Sequence, residues 1–414
     1  MYFLRAAVVA IALQLSGVAN GDVIEDRILA KIYGVATKGK TNGVVPTPTG
    51  WPEYVIGTAT SYTYQSSGAW TTGFFPGTLW LLYQRSLTKT LKVSSVELLS
   101  LARTWQAPLR ANKDRTDTHD LGFMIHDCFG WDAILTGNAT ARQTVHDAAI
   151  ALSQRYNSVT KTIRSWGSIS DTGSFTVIID NMMNLGMLYW AAQQFGNTTL
   201  SDIATSHATT TMNNHFRTDG STWHVLNYNQ VTGAVTAKYT NQGYSDSSTW
   251  ARGQAWAIYG MVSAYRWTKN TAFLDTAIKA ADYFLAGLPA DGVPYWDFNA
   301  PVTGLRDTSA GTIVASGLLY LVEQAPAYKD KYLQRAIDLI DDTIALSQSP
   351  PAVYTASPFA VSDIGFNAFL MNGTIDNNPA KTHTAASSNT GLVYGDYYLI
   401  EAQNRLLGMG LLAA

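Results

Sequence analysis

Ser174-Phe175-Thr176-Val177-Ile178-Ile179-Asp180-Asn181-Met182-Met183-Asn184 sets one acid inside an apolar run, which continues at helical spacing through Leu185, Met187, Leu188, Tyr189 and Trp190. The spacing predicts a helix with Asp180 in its first turn. An acid there has two readings. It complements the helix dipole and the unpaired N–H groups of the first turn, or it is a proton-handling group held in a dry pocket. The rest of the chain decides between them.

Working outward, the same periodicity predicts helices over 22–33, from Trp70-Thr71-Thr72-Gly73-Phe74-Phe75-Pro76-Gly77 to Arg85, and over 93–112. Another starts at Leu121 after Asp117-Thr118-His119-Asp120, and further ones cover 140–156, 200–214, 250–267, 271–288, 309–322, 331–346 and 391–407. Residues 37–65 are rich in Gly, Pro and Thr and read as loop. Segments 222–227 and 234–239 alternate and suggest a small hairpin. Otherwise almost no strands are expected, so the fold class is all-α.

The joins are of two kinds. Those at 195–199, 268–270 and 324–330 are short, whereas 157–176, 216–249, 289–308 and 347–389 are long. A unit repeats: a helix of small and apolar residues, a tight turn, then an amphipathic helix. Such units stack as helical hairpins, in an open superhelix or a closed toroid. About six hairpins suit a closed inner ring inside an outer one. The long joins then share one face with the inner-helix N-termini. Asp120, Asp180 and the 246–252 segment all fall on that face.

The chain has 414 residues, 46% of them hydrophobic and 14% charged, with net charge -2. That is ample core and no basic excess, so nucleic acid is not an expected partner. Arg5, the apolar run 6–15 and Gly17-Val18-Ala19 read as a signal peptide over 1–19. The expected protein is secreted and extracellular, with no membrane segment after cleavage, and 20–414 forms one catalytic domain. The single cysteine, Cys128, excludes an internal disulfide and reads as a buried thiol. Sequons at Asn138, Asn197 and Asn372 allow N-glycosylation.

No H-E-x-x-H or Cys/His cluster occurs, so no metal and no other cofactor is expected. Nor is there a G-x-S-x-G, P-loop or dinucleotide fingerprint. What remains is a pair of acids, Asp120 and Asp180, at helix starts on one face. Two carboxylates on one cavity raise each other's proton affinity, and desolvation outweighs a helix dipole worth about 0.3–1 kcal/mol. Asp120 also reads as a helix cap. His224 lies in the long join on the same face. Arg252 stands two residues into an apolar helix and needs an anion, either Asp246 or a ligand carboxylate. The 12 Trp and 22 Tyr supply flat surfaces for sugars as well as core.

At Trp70 to Gly77, His119 to Met124, Ile178 to Asn184, Gln242 to Trp256, Arg306 to Leu319 and Asn389 to Tyr398 the chain resembles glycoside hydrolase family 88, the unsaturated glucuronyl hydrolases. The resemblance implies an (α/α)6 barrel. It also implies a substrate with a 4,5-unsaturated uronic acid at its non-reducing end, as lyases leave it. Protonation at C4, addition of water at C5 and collapse of the hemiketal would release the sugar. Position by position, Asp180 matches the family's general acid/base and Asp120 its second essential carboxylate. His224, Gln242 and Arg252 match polar substrate-binding residues, Trp70 and Trp256 aromatic walls, and Trp166 another pocket residue. The family's sulfate-recognising serines and lysine find no match. Two alternatives stand beside this reading: an unsaturated rhamnogalacturonyl hydrolase acting on pectin fragments, and a secreted sugar-binding protein whose acids only cap helices.

Overall fold

Six helices carry small and apolar residues on nearly every side, and together they form an inner ring. The computed structural model describes residues 21–301, 304–380 and 388–412. The leader expected over 1–19 lies outside the described residues. Helix α1 spans Gly21–Ala36, α2 Phe74–Ser86 and α3 Ser95–Gln106. A π-helical segment, Gly122–Gly130, runs into α4, Trp131–Thr136, and α5 is Ala139–Ser153. There follow α6 Leu185–Phe195, α7 Thr198–Asn214, α8 Ala251–Thr268, α9 Thr271–Ala286, α10 Thr308–Gln324, α11 Lys329–Ser347 and α12 Val393–Gly408.

The ring closes in space. Helix α2 packs on the π-helical segment, that segment on α6, α6 on α8, α8 on α10, α10 on α12, and α12 back on α2. Outer helices α3, α5, α7, α9 and α11 each back the inner helix before them. The two rings differ as their sequences require. Helix α10 is buried from Thr308 to Val322. Helix α11 buries only one stripe, including Tyr332, Ala336, Ile340 and Thr343, as a surface helix does. Glycine lets inner helices approach: a Cβ on Gly77 would stand 2.5 Å from the Asp127 carbonyl oxygen and 2.7 Å from the Tyr397 ring. The fold is the expected (α/α)6 barrel. Cys128 is buried and free, as expected. No described helix is long and apolar enough to cross a membrane.

The joins hold more strand than the sequence suggested. A four-stranded antiparallel sheet orders Gly373–Thr374, Ser388–Leu392, Trp51–Val55 and Thr63–Gln65, and so ties the stretch read as loop to the end of the chain. Val225–Tyr228 and Val235–Tyr239 pair as the expected hairpin, but Phe175–Ile178 adds a third strand, with Phe175 opposite Tyr228 and Ile178 opposite Val225. This corrects the reading of the opening stretch. Helix α6 begins only at Leu185, and Asp180 stands on a 3-10 turn, Ile179–Asn184, between strand and helix. The β-branched run Thr176-Val177-Ile178 favours the extended backbone.

Candidate active site

The 3-10 turn places Asp180 at the mouth of the ring, and the start of the π-helical segment places Asp120 beside it. Gly122 joins the two: its N–H donates to Asn184 Oδ1 at 2.8 Å. Neither acid caps a helix. The Asp120 carboxylate accepts the Thr118 hydroxyl at 2.9 Å and faces His119 Nε2 at 3.3 Å. Asp180 Oδ2 is buried without a hydrogen-bond partner. The Asp180 side chain is 13% exposed, so it is reachable yet mostly dry.

Burial pushes the Asp180 carboxyl up to about 7. Arg252, its own backbone N–H and the Trp256 indole pull the other way, and the Asp120 charge adds to the rise. The result is an acid that still holds much of its proton near neutral pH. Burial likewise holds the His119 ring below the usual histidine value, against the pull of Asp120.

His224 meets Asp180 from the three-stranded sheet. Its Nδ1 accepts the Asn241 N–H at 3.2 Å and lies 3.2 Å from Thr240 Oγ1. In the neutral ring the proton therefore sits on Nε2, which is 3.7 Å from Asp180 Oδ2. Trp250 lies tilted over this ring at 4.5 Å, and the half-buried Trp166 meets it edge-on at 6.4 Å. Gln242 follows Asn241 in the chain and is half-buried.

Arg252 is 1% exposed and finds its anion elsewhere than expected. Asp246 does not hold it. Its Nη1 donates to Asp307 Oδ2 at 2.7 Å and to the Thr374 carbonyl, and its Nη2 donates to the Ile375 carbonyl. Asp246 instead accepts the Thr240 N–H.

The expected aromatic walls differ from each other. Trp70 is half-buried and packs on Tyr394 at 5.2 Å and Phe123 at 5.5 Å. Trp256 is wholly buried against Phe123 and Tyr398, so it offers the site its indole N–H rather than an open face. Sequence reasoning missed Asp307, Tyr394 and the part played by His119. A buried arginine demands a buried acid, and Asp307 at the head of an apolar helix was the available signal. Among the described residues no three His, Cys, Asp or Glu side chains gather as a metal site. Of the sequon asparagines, Asn138 donates its amide to Asp132 and Asn372 donates to Ser347, while Asn197 makes no side-chain cap at the start of α7.

Comparison with known proteins gives the site its family. No family model matches the chain. An unsaturated glucuronyl hydrolase of Formosa agariphila is 36% identical over 341 residues, covering 81% of this chain and 79% of that one. The chain belongs to the unsaturated glucuronyl hydrolases, glycoside hydrolase family 88. It is thus a glycoside hydrolase. A crystal structure of an unsaturated glucuronyl hydrolase specific for heparin is 31% identical, with a TM-score of 0.79, and covers 94% of this chain and 98% of that one. A family structure with dGlcA-Glc-Rha-Glc is 27% identical, with a TM-score of 0.82, and covers 95% of this chain and 97% of that one.

Proposed function

We propose that the chain hydrolyses oligosaccharides ending in a 4,5-unsaturated uronic acid, with Asp180 as the general acid. The observation that carries this role is a dry carboxyl without a capping partner, held up to about 7 at the ring mouth beside Asp120 and His224. Protonated Asp180 delivers its proton to C4 of the enol ether. The positive charge that develops at C5 and the ring oxygen takes up water, whose proton returns to the Asp180 carboxylate. The hemiketal at C5 then opens to a ketone, which leaves C1 as a hemiacetal; its collapse to the aldehyde breaks the C1–O bond and releases the sugar, which takes up the hemiacetal proton. No nucleophile attacks C1, so the rule that reads stereochemistry from carboxylate separation does not apply.

The Asp120 carboxylate lies on the same mouth, where it faces the developing cation, and it adds to the rise in the Asp180 proton affinity. His224 presents Nε2–H to Asp180 or to substrate. Trp70 and Trp166, with Gln242, form the accessible sides. The tetrasaccharide in the related structure begins with the same class of sugar, which supports this reading.

The test is loss of the conjugated enol-ether absorbance with an unsaturated glucuronyl disaccharide. Wild type should turn over, and Asp180→Asn should lose activity by about 10²–10⁴-fold. Wild-type activity should fall on the alkaline side as Asp180 loses its proton. A rate flat up to about pH 9 would contradict the role. Secretion belongs to the same proposal and rests on Arg5, the apolar run 6–15 and Gly17-Val18-Ala19. N-terminal sequencing of protein recovered from the medium checks cleavage after Ala19.

A further inference from the structure

Asp307 lies outside the reacting pair, yet every polar group around it is arranged with care. It is fully buried at the head of α10. Oδ1 accepts the Ser309 N–H at 3.1 Å and the Ser309 hydroxyl at 2.6 Å. Oδ2 accepts Arg252 Nη1 at 2.7 Å. One carboxylate therefore caps an inner helix with one oxygen and holds a buried cation with the other. The cation is fixed on its remaining sides too: the Thr374 and Ile375 carbonyls take its N–H groups, and Trp250 and Tyr394 cover it at 4.5 and 5.4 Å.

Helix α8 carries Arg252 against the turn that bears Asp180. A Cβ on Gly253 would stand 3.2 Å from Ile179, the residue before Asp180. A bare guanidinium so placed would strongly favour the Asp180 anion, and an anion cannot protonate an enol ether.

We propose that Asp307 is a positioning residue for this reaction: it pins Arg252 in place and offsets its charge, so that Arg252 stays beside Asp180 without stripping its proton. The inference rests on the reading of Asp180 as the acid. The charged and titratable groups facing Asp180 are few. Asp120 comes from the start of the π-helical segment, with His119 against it, His224 from the sheet, Arg252 from α8 and Tyr394 from α12. Arg252 in turn faces Asp307, Tyr394 and Asp180. Of these, Asp307 is the anion in direct contact with Arg252.

The experiment follows the Asp180 carboxyl by carbon NMR against pH in the full chain without substrate, alongside the pH profile of kcat/KM. Asp307→Asn keeps the cap acceptor and removes the charge. It should move the Asp180 midpoint to lower pH by about one unit, with the alkaline limb of activity following. Arg252→Gln should move the midpoint the other way, and by more, because it removes the charge nearer to Asp180 and leaves that of Asp307 in place. An Asp307→Asn midpoint equal to wild type, with only thermal stability reduced, would make Asp307 a helix cap and nothing more. Should Asp307→Asn not fold, Arg252→Gln still decides: a midpoint that does not rise overturns the proposal. A midpoint that moves while activity does not follow leaves Asp307 as the group that sets the Asp180 midpoint, removes Asp180 as the acid, and ends the role of Asp307 in the reaction.

Discussion

A carboxyl that must give up its proton in a dry place is costly to ionise, and Asp180 shows the cost in its linkage to folding. Its folded value is raised from 3.8 to about 7. Between those values the folded protein holds this proton more tightly than the unfolded chain, so stability falls as pH rises through the window and levels off above it. The penalty is on the order of a few kcal/mol. Asp180→Asn removes the ionisation. Thermal unfolding should find that variant more stable than wild type above about pH 7, and the two alike below about pH 4. A variant less stable at alkaline pH would mean that the Asp180 anion is well solvated in the fold. The gain would accompany loss of turnover, the trade expected where a site is strained for its chemistry.

At the scale of elements, the two acids keep their relation through a single glycine. A Cβ on Gly122 would stand 2.5 Å from Asn184 Oδ1 and 2.8 Å from Asn184 Cα, which is backbone and cannot swing aside. Gly122→Ala should cost about 1–3 kcal/mol of stability by overpacking. It should also cost on the order of 100-fold in kcat by moving Asp120 relative to Asp180. Comparing kcat with the melting temperature separates the two effects.

The helices themselves were legible because inner and outer helices differ in periodicity, and α8 to α11 appear within a few residues of where the spacing put them. Asp180 as an outstanding acid was legible too, since a lone charge in an apolar run stands out. Its strand was not: Phe175–Ile178 is a short apolar run, and periodicity alone cannot tell such a run from the start of a buried helix. The π-helical winding of Gly122–Gly130, which packs on α2 and α6, also left no mark in the spacing. Arg252 was visible as a cation needing an anion. Its partner stands 55 positions along the chain, and no local pattern joins them.

At the scale of the whole molecule, ring closure depends on α2 meeting α12 across most of the chain. Arg85 secures that seam. Its Nε donates to Asn404 Oδ1 at 2.8 Å, its Nη2 to Gln403 Oε1 at 3.1 Å, and Nη1 pairs with Glu25 of α1 at 3.4 Å. It sits in the last turn of α2, whereas the acids lie where inner helices begin. Arg85→Met should lower stability by about 3 kcal/mol, since it leaves buried partners unpaired. It should leave kcat near wild type at low temperature. Equal losses of kcat and stability would show that the seam and the mouth are mechanically coupled.

The four-stranded sheet carries a consequence for how activity arises in time. Trp51–Val55 pairs with Ser388–Leu392. Arg252 likewise takes carbonyls of Thr374 and Ile375, more than 120 positions downstream. Contacts so distant in sequence form late, because the entropy of closing long loops must be met first. A chain still being made on the ribosome can therefore hold most of its helices and no assembled mouth. Catalytic competence arrives with the last hairpin, and a chain cut short before α12 is born inert.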